Sequence, residues 1–321
     1  MTTNSNPTSN SILQAEQLEF LTDLSPKDKP WDEHRAQTQQ IESLYRGTCL
    51  NRLADRVSQC SGYLTFGWST DPETSENRLK LVGAHFCRVR HCPVCQWRRS
   101  LMWQARFLRA LPEIESAFPT ARWIFLTLTV RNCAVTDLRS TIQHMNTSFH
   151  RLTKRPEFRW NTIGWIRSTE VTKGRDGSAH PHFHVLMMVR PSYFGKGYVT
   201  QARWTELWRE SARLDYTPIV HVQAVKNRRG SEHPLRGAIA ETLKYSTKPE
   251  DLMDRDWLLE LTSQVYKLRF IGSGGLLKDV LRESEEETDE DLMLFDENGE
   301  QQVDPEIFFA WHRRIQRYVR V

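Results

Sequence analysis

Two strand-like segments joined by a glycine-rich turn constrain the fold more than any other feature of the chain. Residues 163–172 and 182–190 have the composition of strands, and Gly174-Arg-Asp-Gly between them is a turn signal. A connection this short joins strands as an antiparallel hairpin, because parallel pairing needs a crossover of a dozen or more residues. The sequence therefore predicts an antiparallel sheet that contains this hairpin.

A third strand and several helices flank the hairpin in the sequence. Residues 122–131 alternate Leu126, Leu128 and Val130 with threonines, which is typical of a strand. Strands and helices alternate through residues 122–248, an order that favours the α+β class with an antiparallel sheet covered by helices. A last helix is predicted after Asp304-Pro305, with these apolar residues on one face: Ile307, Phe308, Trp311, Ile315 and Tyr318.

The composition is that of a soluble globular protein rather than a membrane protein. The 321 residues are 39% hydrophobic and 26% charged, and the mean hydropathy is −0.60. The longest apolar run, residues 123–130, is far shorter than the roughly 20 residues that span a bilayer. Residues 1–30 are rich in Ser, Thr and Asn and are predicted to be a disordered tail, not a signal peptide. Six cysteines without an export signal favour a reducing compartment, so we expect a cytoplasmic protein with no membrane partner.

The charge is unevenly distributed along the chain. Residues 281–300 contain ten acidic residues and one arginine, so this acidic strip carries −9 although the whole chain carries +4. The rest of the chain carries +13, which predicts a polyanionic partner. The strip could screen the basic body or bind another molecule, but the simplest interpretation is a solvated linker.

The segment His180-Pro-His-Phe-His contains the first candidate chemistry. On a strand, His182 and His184 share one face and Phe183 lies on the other. Two imidazoles spaced in this way can bind one divalent ion. A site that handles phosphate would also need a hard carboxylate, and Glu170 on the preceding strand is the candidate.

The register of the hairpin decides whether Glu170 can reach the histidines. Residues opposite each other share a face, so Glu170 pairs with His184 only if an odd-numbered turn is centred on Gly177. A two-residue Asp176-Gly177 turn would place Glu170 opposite Phe183, on the wrong face. A metal site therefore requires a turn of three or five residues, or a bulge. The alternative is that the histidines are only buried and hydrogen-bonded.

Residues 234–248 are predicted to form an amphipathic helix that ends before Pro249. A tyrosine oxygen on its polar face could attack phosphorus and hold the product as a phosphodiester. Nearby lysines would favour the phenolate, and a glutamate one turn earlier could accept a proton. The alternative is a solvated face with an ordinary Glu–Lys pair. At 100° per residue, one arc of about 100° holds four polar side chains: Glu241, Lys244, Tyr245 and Lys248.

Three motifs follow one another in the order found in rolling-circle replication initiators. They are Phe125-Leu-Thr-Leu-Thr, His180-Pro-His-Phe-His-Val-Leu and Lys244-Tyr-Ser-Thr-Lys. In these motifs the chain resembles the single-tyrosine Rep proteins of small bacterial plasmids, which belong to the HUH endonuclease superfamily. The resemblance covers about residues 60–250, and the three motifs in order are much more specific than any one alone.

The resemblance implies an HUH-type antiparallel sheet with a divalent metal ion on its central strand. His182 and His184 match the two histidines that bind Mg²⁺ or Mn²⁺, and the ion polarises the scissile phosphate. The third ligand varies across the superfamily. Glu170 is the candidate for this position, and His180 is its competitor.

The resemblance also implies the reaction. Tyr245 matches the nucleophile that nicks single-stranded or hairpin origin DNA, becomes linked to the 5′-phosphate and leaves a 3′-hydroxyl primer. Glu241 matches a glutamate that activates water at termination. A host helicase and a polymerase are the implied partners. The related relaxases and single-strand transposases share the metal site, so these roles stay open.

The cysteines of the first third of the chain have zinc-ligand spacing. Cys87-x4-Cys92-Pro-x-Cys95 places thiolates at a tight turn, and the same Rep proteins resemble this segment too. A fourth ligand is needed, and Cys60 is preferred because it precedes a predicted strand, 63–68, whose partner would be 79–86. His85 and His91 are alternatives. Structural zinc is the interpretation, against reduced thiols that hold no metal.

Six arginines and no acid lie between residues 85 and 111. Phosphate contact is a natural use of such a stretch, and Arg98 and Arg99 are predicted to contact DNA together with Lys244 and Lys248. The alternative is a helix that packs its tryptophans inward and leaves the arginines in solvent.

Four regions are predicted from these features. They are the tail 1–30, a helical and zinc-binding module 31–118, an HUH nickase core 119–250, and a helical C-terminal region 251–321 that contains the acidic linker 281–300. The predicted function is initiation of plasmid rolling-circle replication by an endonuclease and strand transferase. A zinc-dependent DNA-binding regulator without catalysis is the alternative from another class.

Overall fold

The computed structural model describes residues 18–70, 75, 77–225, 235–244, 246–278, 288–293 and 306–321. Within these ranges the helices are α1 Leu21–Leu24, α2 Lys29–Tyr45, α3 Asn51–Gln59, α4 Pro93–Ala117, α5 Leu138–Leu152, α6 Pro156–Asn161, α7 Gln201–Ala212, α8 Arg236–Thr242, α9 Arg255–Gln264 and α10 Asp289–Met293. The strands are β1 Tyr63–Thr70, β2 Asn77–Ala84, β3 Arg122–Thr129, β4 Thr162–Lys173, β5 Ala179–Val189, β6 Val220–Ala224, β7 Ile271–Gly275, β8 Glu306–His312 and β9 Arg317–Arg320.

The larger of two antiparallel sheets contains the predicted hairpin. Its strand order is β6-β3-β5-β4-β7, and each neighbouring pair is antiparallel. The histidine strand β5 therefore lies at the centre, with the threonine-rich strand β3 on one side and its hairpin partner β4 on the other. The α+β class with an antiparallel sheet covered by helices is confirmed.

Alternation along β5 divides the core between the two faces of this sheet. Phe183, Val185 and Met187 are buried against the tryptophans of α7 and against α5. Leu186 and Met188 are buried on the opposite face, in the core that includes α4 and α8. The second face also carries His182 and His184, nearer the start of β5, so the candidate site lies on the side of the sheet that α8 covers.

A second sheet belongs to that module and has the order β2-β1-β8-β9. β1 and β2 form the hairpin expected from residues 63–68 and 79–86. The long helix α4 begins directly after Cys92 and packs against α2, α8 and α10. Within the described residues, no helix combines the length and the apolar character needed to cross a membrane.

The helix predicted near the C-terminus is wrong, because this segment forms the hairpin β8–β9. Ile307 and Phe309 are buried, whereas Phe308 between them is 47% exposed. The apolar period is therefore two residues and not 3.6, and aromatic and β-branched residues fit a half-buried strand well. Residues 251–321 are also not one helical region, since β7 joins the larger sheet while β8 and β9 complete the module sheet.

Two other predicted boundaries need correction. The described end of the tail 1–30 is folded, because Leu21 in α1 is fully buried and Phe20 bridges to Val319. The helix predicted over residues 234–248 ends at Thr242. Tertiary contacts replace its last turns, since the Val171 N–H donates to the Ser246 carbonyl at 2.9 Å.

Candidate metal centres

The hairpin register places Glu170 on the histidine face, although not opposite the expected residue. Lys173 pairs with Ala179, so the loop has five residues, 174–178, and is centred on Asp176. Glu170 therefore lies opposite His182, and the predicted pairing with His184 is wrong by two residues. The loop still has an odd number of residues, as the site requires, and β-strand residues two apart share a face. Glu170 is therefore on the same face as both histidines.

Glu170, His182 and His184 converge on one point. Glu170 Oε2 lies 2.9 Å from His184 Nε2 and 3.3 Å from His182 Nε2. The candidate ligand atoms all lie within 4.8 Å of one another, and all three residues are buried. Two imidazole nitrogens and one carboxylate oxygen suit a divalent ion at a site that handles phosphate. The three residues fit such an ion.

Contacts behind the two imidazoles orient them toward the carboxylate. His182 Nδ1 donates to the His180 carbonyl at 3.3 Å, and His184 Nδ1 lies 3.4 Å from Thr127 Oγ1. These partners leave each Nε2 facing Glu170, and metal-binding histidines are commonly oriented in this way by a hydrogen bond at the other ring nitrogen. The role of Thr127 was not predicted. The signal was present, because the threonine-rich motif lies on the strand that pairs with the histidine strand.

His180, the competing third ligand, lies outside this group. Its Nδ1 lies 2.8 Å from Asn132 Oδ1, and its ring stacks on that of His182 with centroids 5.2 Å apart. The group of converging atoms contains Glu170 instead. His180 therefore contributes to packing beside the site and supplies its backbone carbonyl to His182.

Lys244 and Glu241 form the rim of the same site. Lys244 Nζ lies 3.0 Å from Glu170 Oε2 and 2.7 Å from Glu241 Oε1. Glu241 Oε1 is 4.0 Å from His184 Nε2, and its side chain is 48% exposed. A buried carboxylate is thus backed by an ammonium group, while a second carboxylate reaches solvent.

These contacts shift the pKa values of the two central groups. Burial alone would raise the pKa of Glu170, but hydrogen bonds with His182, His184 and Lys244 outweigh it and hold that pKa well below its usual range. Burial would lower the pKa of Lys244, but hydrogen bonds to Glu241 and Glu170 raise it. Both charged forms are therefore favoured, which gives the site an ionised ligand and a permanent cation.

The remaining predicted residues of this motif lie beyond the end of α8. Tyr245 lies outside the described residues, although it directly follows Lys244 in the sequence. Lys248 is exposed and lies past the helix end, so the predicted helical arc with Glu241 does not form. Of the two predicted lysines, only Lys244 contacts the carboxylates of the candidate site among the described contacts.

The second candidate centre consists of four buried cysteines. Cys60 Sγ lies 3.6 Å from Cys95 Sγ and 3.6 Å from Cys92 Sγ, and Cys87 Sγ lies 3.6 Å from Cys95 Sγ. A tetrahedral zinc ion with Zn–S bonds of about 2.3 Å would place its sulfurs about 3.8 Å apart. The four thiols fit zinc, and Cys60 rather than a histidine completes the set.

The surroundings of the thiols also suit a structural ion. Burial raises the pKa of the Cys60 and Cys87 thiols well above the ordinary value, so a cation would be needed to offset the burial of thiolates. The Cys87 N–H points to Cys60 Sγ at 3.5 Å. His91 is buried outside the cluster and His85 contacts Asp289, so neither joins the four thiols.

The arginines of α4 have different environments. Arg98 is 2% exposed and lies near the rings of Trp31 and Trp97. Its Nε and Nη2 donate to the carbonyls of Leu292 and Met293 at 2.7 and 2.9 Å. The predicted DNA contact by Arg98 is therefore wrong, because its guanidinium is buried and engaged. Arg99 instead lines a cleft between the module and the larger sheet.

Part of the acidic strip packs against two other arginines of the basic stretch. Asp289 Oδ1 lies 2.6 Å from Arg88 Nη2, and Asp291 Oδ1 lies 2.6 Å from Arg106 Nη2. Leu292 of α10 is fully buried. The interpretation as a solvated linker is wrong for residues 288–293, and the rest of the strip lies outside the described residues.

The fold and site together define an α+β protein with a candidate divalent-metal centre on an antiparallel sheet and a four-cysteine module above it. Residues 78–319 match the family model described as "Replication protein". The match covers well over half of the chain, and the chain belongs to this family of replication proteins.

Individual relatives agree along most of the chain. It is 33% identical over 302 residues to "Protein rep" of Streptococcus pneumoniae serotype 2 (strain D39 / NCTC 7466), covering 91% of this chain and 92% of the relative. It is 35% identical over 312 residues to "Protein rep" of Bacillus amyloliquefaciens, covering 90% and 89%. "Protein rep" of Lentilactobacillus hilgardii is 32% identical over 305 residues, covering 91% and 95%. No solved structure matches the chain significantly.

Proposed function

We propose that this chain initiates plasmid rolling-circle replication as an HUH-class nickase and strand transferase. The observation that carries the proposal is the convergence of Glu170, His182 and His184, with Lys244 at the rim directly before Tyr245 in the sequence. Those three residues would hold Mg²⁺ or Mn²⁺, which when bound polarises the scissile phosphate as a Lewis acid. Zinc in the four-cysteine cluster would hold the module together.

Tyr245 supplies the nucleophile in this proposal. The phenol loses its proton to water, the phenolate oxygen attacks the phosphorus, and the bond from phosphorus to the 3′-oxygen breaks. The leaving 3′-oxygen takes up a proton from water and becomes a 3′-hydroxyl. The 5′-phosphate stays on the tyrosine as a phosphodiester, so the bond energy is kept for rejoining. Lys244 places a positive charge beside the site, where negative charge develops on the phosphate oxygens.

Glu241 acts when the link between the tyrosine and the DNA is broken again. Its exposed carboxylate lies 4.0 Å from His184 Nε2 and can be reached from solvent. When the tyrosine link is resolved, this carboxylate accepts the proton of the attacking water or 3′-hydroxyl. The free 3′-hydroxyl made by the first cut is a primer for a polymerase, and the resemblance to the Rep proteins implies a host helicase as a second partner.

The test is covalent capture of DNA. The protein is incubated with Mn²⁺ or Mg²⁺ and labelled single-stranded DNA that spans the plasmid origin, and the products are separated on a denaturing gel. The wild type should give a labelled protein–DNA adduct, and Tyr245→Phe should give none. Tyr266→Phe is the matched control, since Tyr266 is an exposed tyrosine on the described surface.

Each other outcome assigns a different role. An adduct that persists in Tyr245→Phe and is lost in Tyr266→Phe would move the nucleophile to Tyr266. Tight DNA binding without an adduct on any origin fragment would favour a DNA-binding regulator. Cleavage at a transfer origin or an element end, rather than a replication origin, would favour a relaxase or a transposase.

A further inference from the structure

A cleft of about 570 Å³ lies between the cysteine module and the larger sheet. Its basic side chains from the module are Arg88, Arg90, Arg99 and Arg106, and those from the other wall are Lys244, Lys267 and Arg269. Among the described lining residues, the only carboxylate is that of Asp291. Seven cations around one cavity create a strongly positive potential, which favours a polyanionic occupant.

The cleft leads to the candidate metal centre. Ser168 and Thr169 of β4 line it, and the next residue in this strand is Glu170. Lys244 belongs both to the cleft wall and to the site rim, with its Nζ 3.0 Å from Glu170 Oε2. A polymer that lies in the cleft would therefore continue directly to the three ligand residues.

Contacts with neighbouring residues hold two of the cleft arginines in place. The Arg90 guanidinium lies 4.4 Å from the centre of the Phe270 ring and donates to the Leu268 carbonyl at 2.6 Å. Arg99 Nη2 donates to the Arg88 carbonyl at 3.1 Å. Guanidinium groups fixed in this way lose little side-chain entropy when they contact an anion, and their remaining geometry suits phosphate oxygens.

Carboxylates of α10 already contact two of these arginines. Asp289 pairs with Arg88, and Asp291 pairs with Arg106, each at 2.6 Å. The arginines thus bind anions in the folded chain. A phosphate that enters the cleft would have to share or displace these carboxylates, because both anions need the same guanidinium donors.

We propose that this cleft binds the phosphodiester backbone of single-stranded DNA next to the cleavage site, in competition with Asp289 and Asp291. The inference rests on the proposed nickase function and adds the path of the strand and an internal competitor. The volume of the cleft is in the range of pockets that hold drug-sized molecules, about 300–1,000 Å³, which is the size class of single nucleotides rather than of a double helix.

Binding of a non-origin oligonucleotide tests the path. A fluorescein-labelled ten-nucleotide oligo(dT) is titrated with the zinc-loaded full chain, without Mg²⁺ or Mn²⁺, and anisotropy is followed across a series of salt concentrations. Arg99→Gln with Arg269→Gln should weaken binding about tenfold or more and reduce the salt slope by about 0.7 for each lost phosphate contact.

The matched control for the double variant is Arg109→Gln with Arg159→Gln. Both arginines are exposed and lie outside the cleft lining, and the change in net charge is the same. Equal weakening in both double variants would overturn the proposal, since only general charge would then matter. Melting curves check that each variant is folded.

A second pair of variants tests the competition. Asp291→Asn should tighten binding of the oligonucleotide about threefold or more, because Arg106 loses its carboxylate partner. Glu290→Gln is the matched control on the same helix, where the side chain is exposed. If Glu290→Gln tightens binding as much as Asp291→Asn, the carboxylates of α10 do not compete in the cleft.

Binding measurements with other ligands test the cleft independently of the proposed nickase function. Full displacement of the oligonucleotide by dTTP at equal phosphate concentration would assign the cleft to a mononucleotide and overturn the strand path. A duplex that binds as tightly as the single strand would also overturn it. Loss of the covalent adduct would refute the nickase, but the two binding comparisons would still report on the cleft, because they require no cleavage.

Discussion

The two candidate metal centres differ in how completely the chain surrounds them. The four cysteines are buried and supply four ligand atoms, which is a full tetrahedral set. The sheet centre supplies only three, and its rim carries the 48% exposed Glu241 carboxylate. Closed sites hold structure, whereas sites with an open position carry out catalysis. One candidate centre is thus closed by its own four ligands, and the other is open at its rim.

The largest expected effect is the loss of the closed centre. Cys92→Ser should remove the zinc and unfold the module, because structural zinc contributes about 10–16 kcal/mol in small zinc peptides. That contribution is as large as the whole free energy of unfolding of a typical domain, about 5–15 kcal/mol. Zinc content and thermal unfolding by circular dichroism measure the effect.

Cys49→Ser is the control for this prediction, because Cys49 is exposed and lies outside the cluster. It should keep both the zinc and the melting temperature of the wild type. A Cys92→Ser protein that melts like the Cys49→Ser protein would remove the distinction between a structural and a catalytic centre.

Loss of the open centre should affect activity rather than folding. His184→Ala should reduce adduct formation about 100- to 1,000-fold, since Lewis-acid assistance is worth several kcal/mol. The melting temperature should change little compared with Cys92→Ser. His150→Ala, at an exposed position on α5, should retain full activity. Equal activity of the two histidine variants would remove His184 from the catalytic site.

The depressed pKa of Glu170 predicts how the open centre responds to acid. A group whose pKa is lower in the folded state contributes stability above its unfolded pKa, about 4.3 for Glu, and loses it as the pH falls further. Glu170→Gln should therefore lower the free energy of unfolding by about 2 kcal/mol at pH 7. Urea unfolding should show the same difference down to about pH 4.5 and a smaller one below pH 4. If the difference in free energy of unfolding between the two proteins disappears by pH 6, the contacts of an ionised Glu170 do not stabilise the fold as described.

The smallest effect separates the two predicted lysines. Lys244→Gln should reduce adduct formation about tenfold, because it removes the cation beside Glu170, and charge-assisted hydrogen bonds are worth about 1.5–3 kcal/mol. Lys248→Gln should reduce it less than about twofold, since Lys248 is exposed beyond the end of α8. Initial rates of adduct formation compare the two variants directly. Equal effects would contradict the prediction that only Lys244 acts at the candidate site.

The sequence predicts the faces of the sheet better than its exact register. Alternation alone places His182 and His184 on one face, and the odd turn adds Glu170 to it. The centre of the turn depends on contacts that no periodicity shows, such as the hydrogen bonds from Ser178 to Asp176 Oδ1. The pairing of Glu170 therefore differs by two residues from the predicted one, and an even shift leaves the side-chain face unchanged.

Long-range contacts explain the other differences. The spacing Ile307, Trp311 and Ile315 fits a helix, but pairing of β8 with β1 makes this segment a strand. Carbonyls of α10 engage Arg98, which local composition presented as a phosphate ligand. In each case a residue or strand far away in the sequence determines the local structure. Intrinsic propensity is a weak guide where tertiary packing competes with it.

The module sheet has a consequence for the order in which the protein can mature. Leu64 near the start of β1 pairs with Phe309 of β8, so the two strands of one sheet come from opposite ends of the described chain. During synthesis β1 emerges from the ribosome long before its partner exists, and domains generally fold as units while the chain grows. The cysteine module can close its sheet only when residues 306–320 have been made. Ribosomes that stop early would release a chain with an unfinished module, so completion of the module distinguishes full-length initiators from truncated ones.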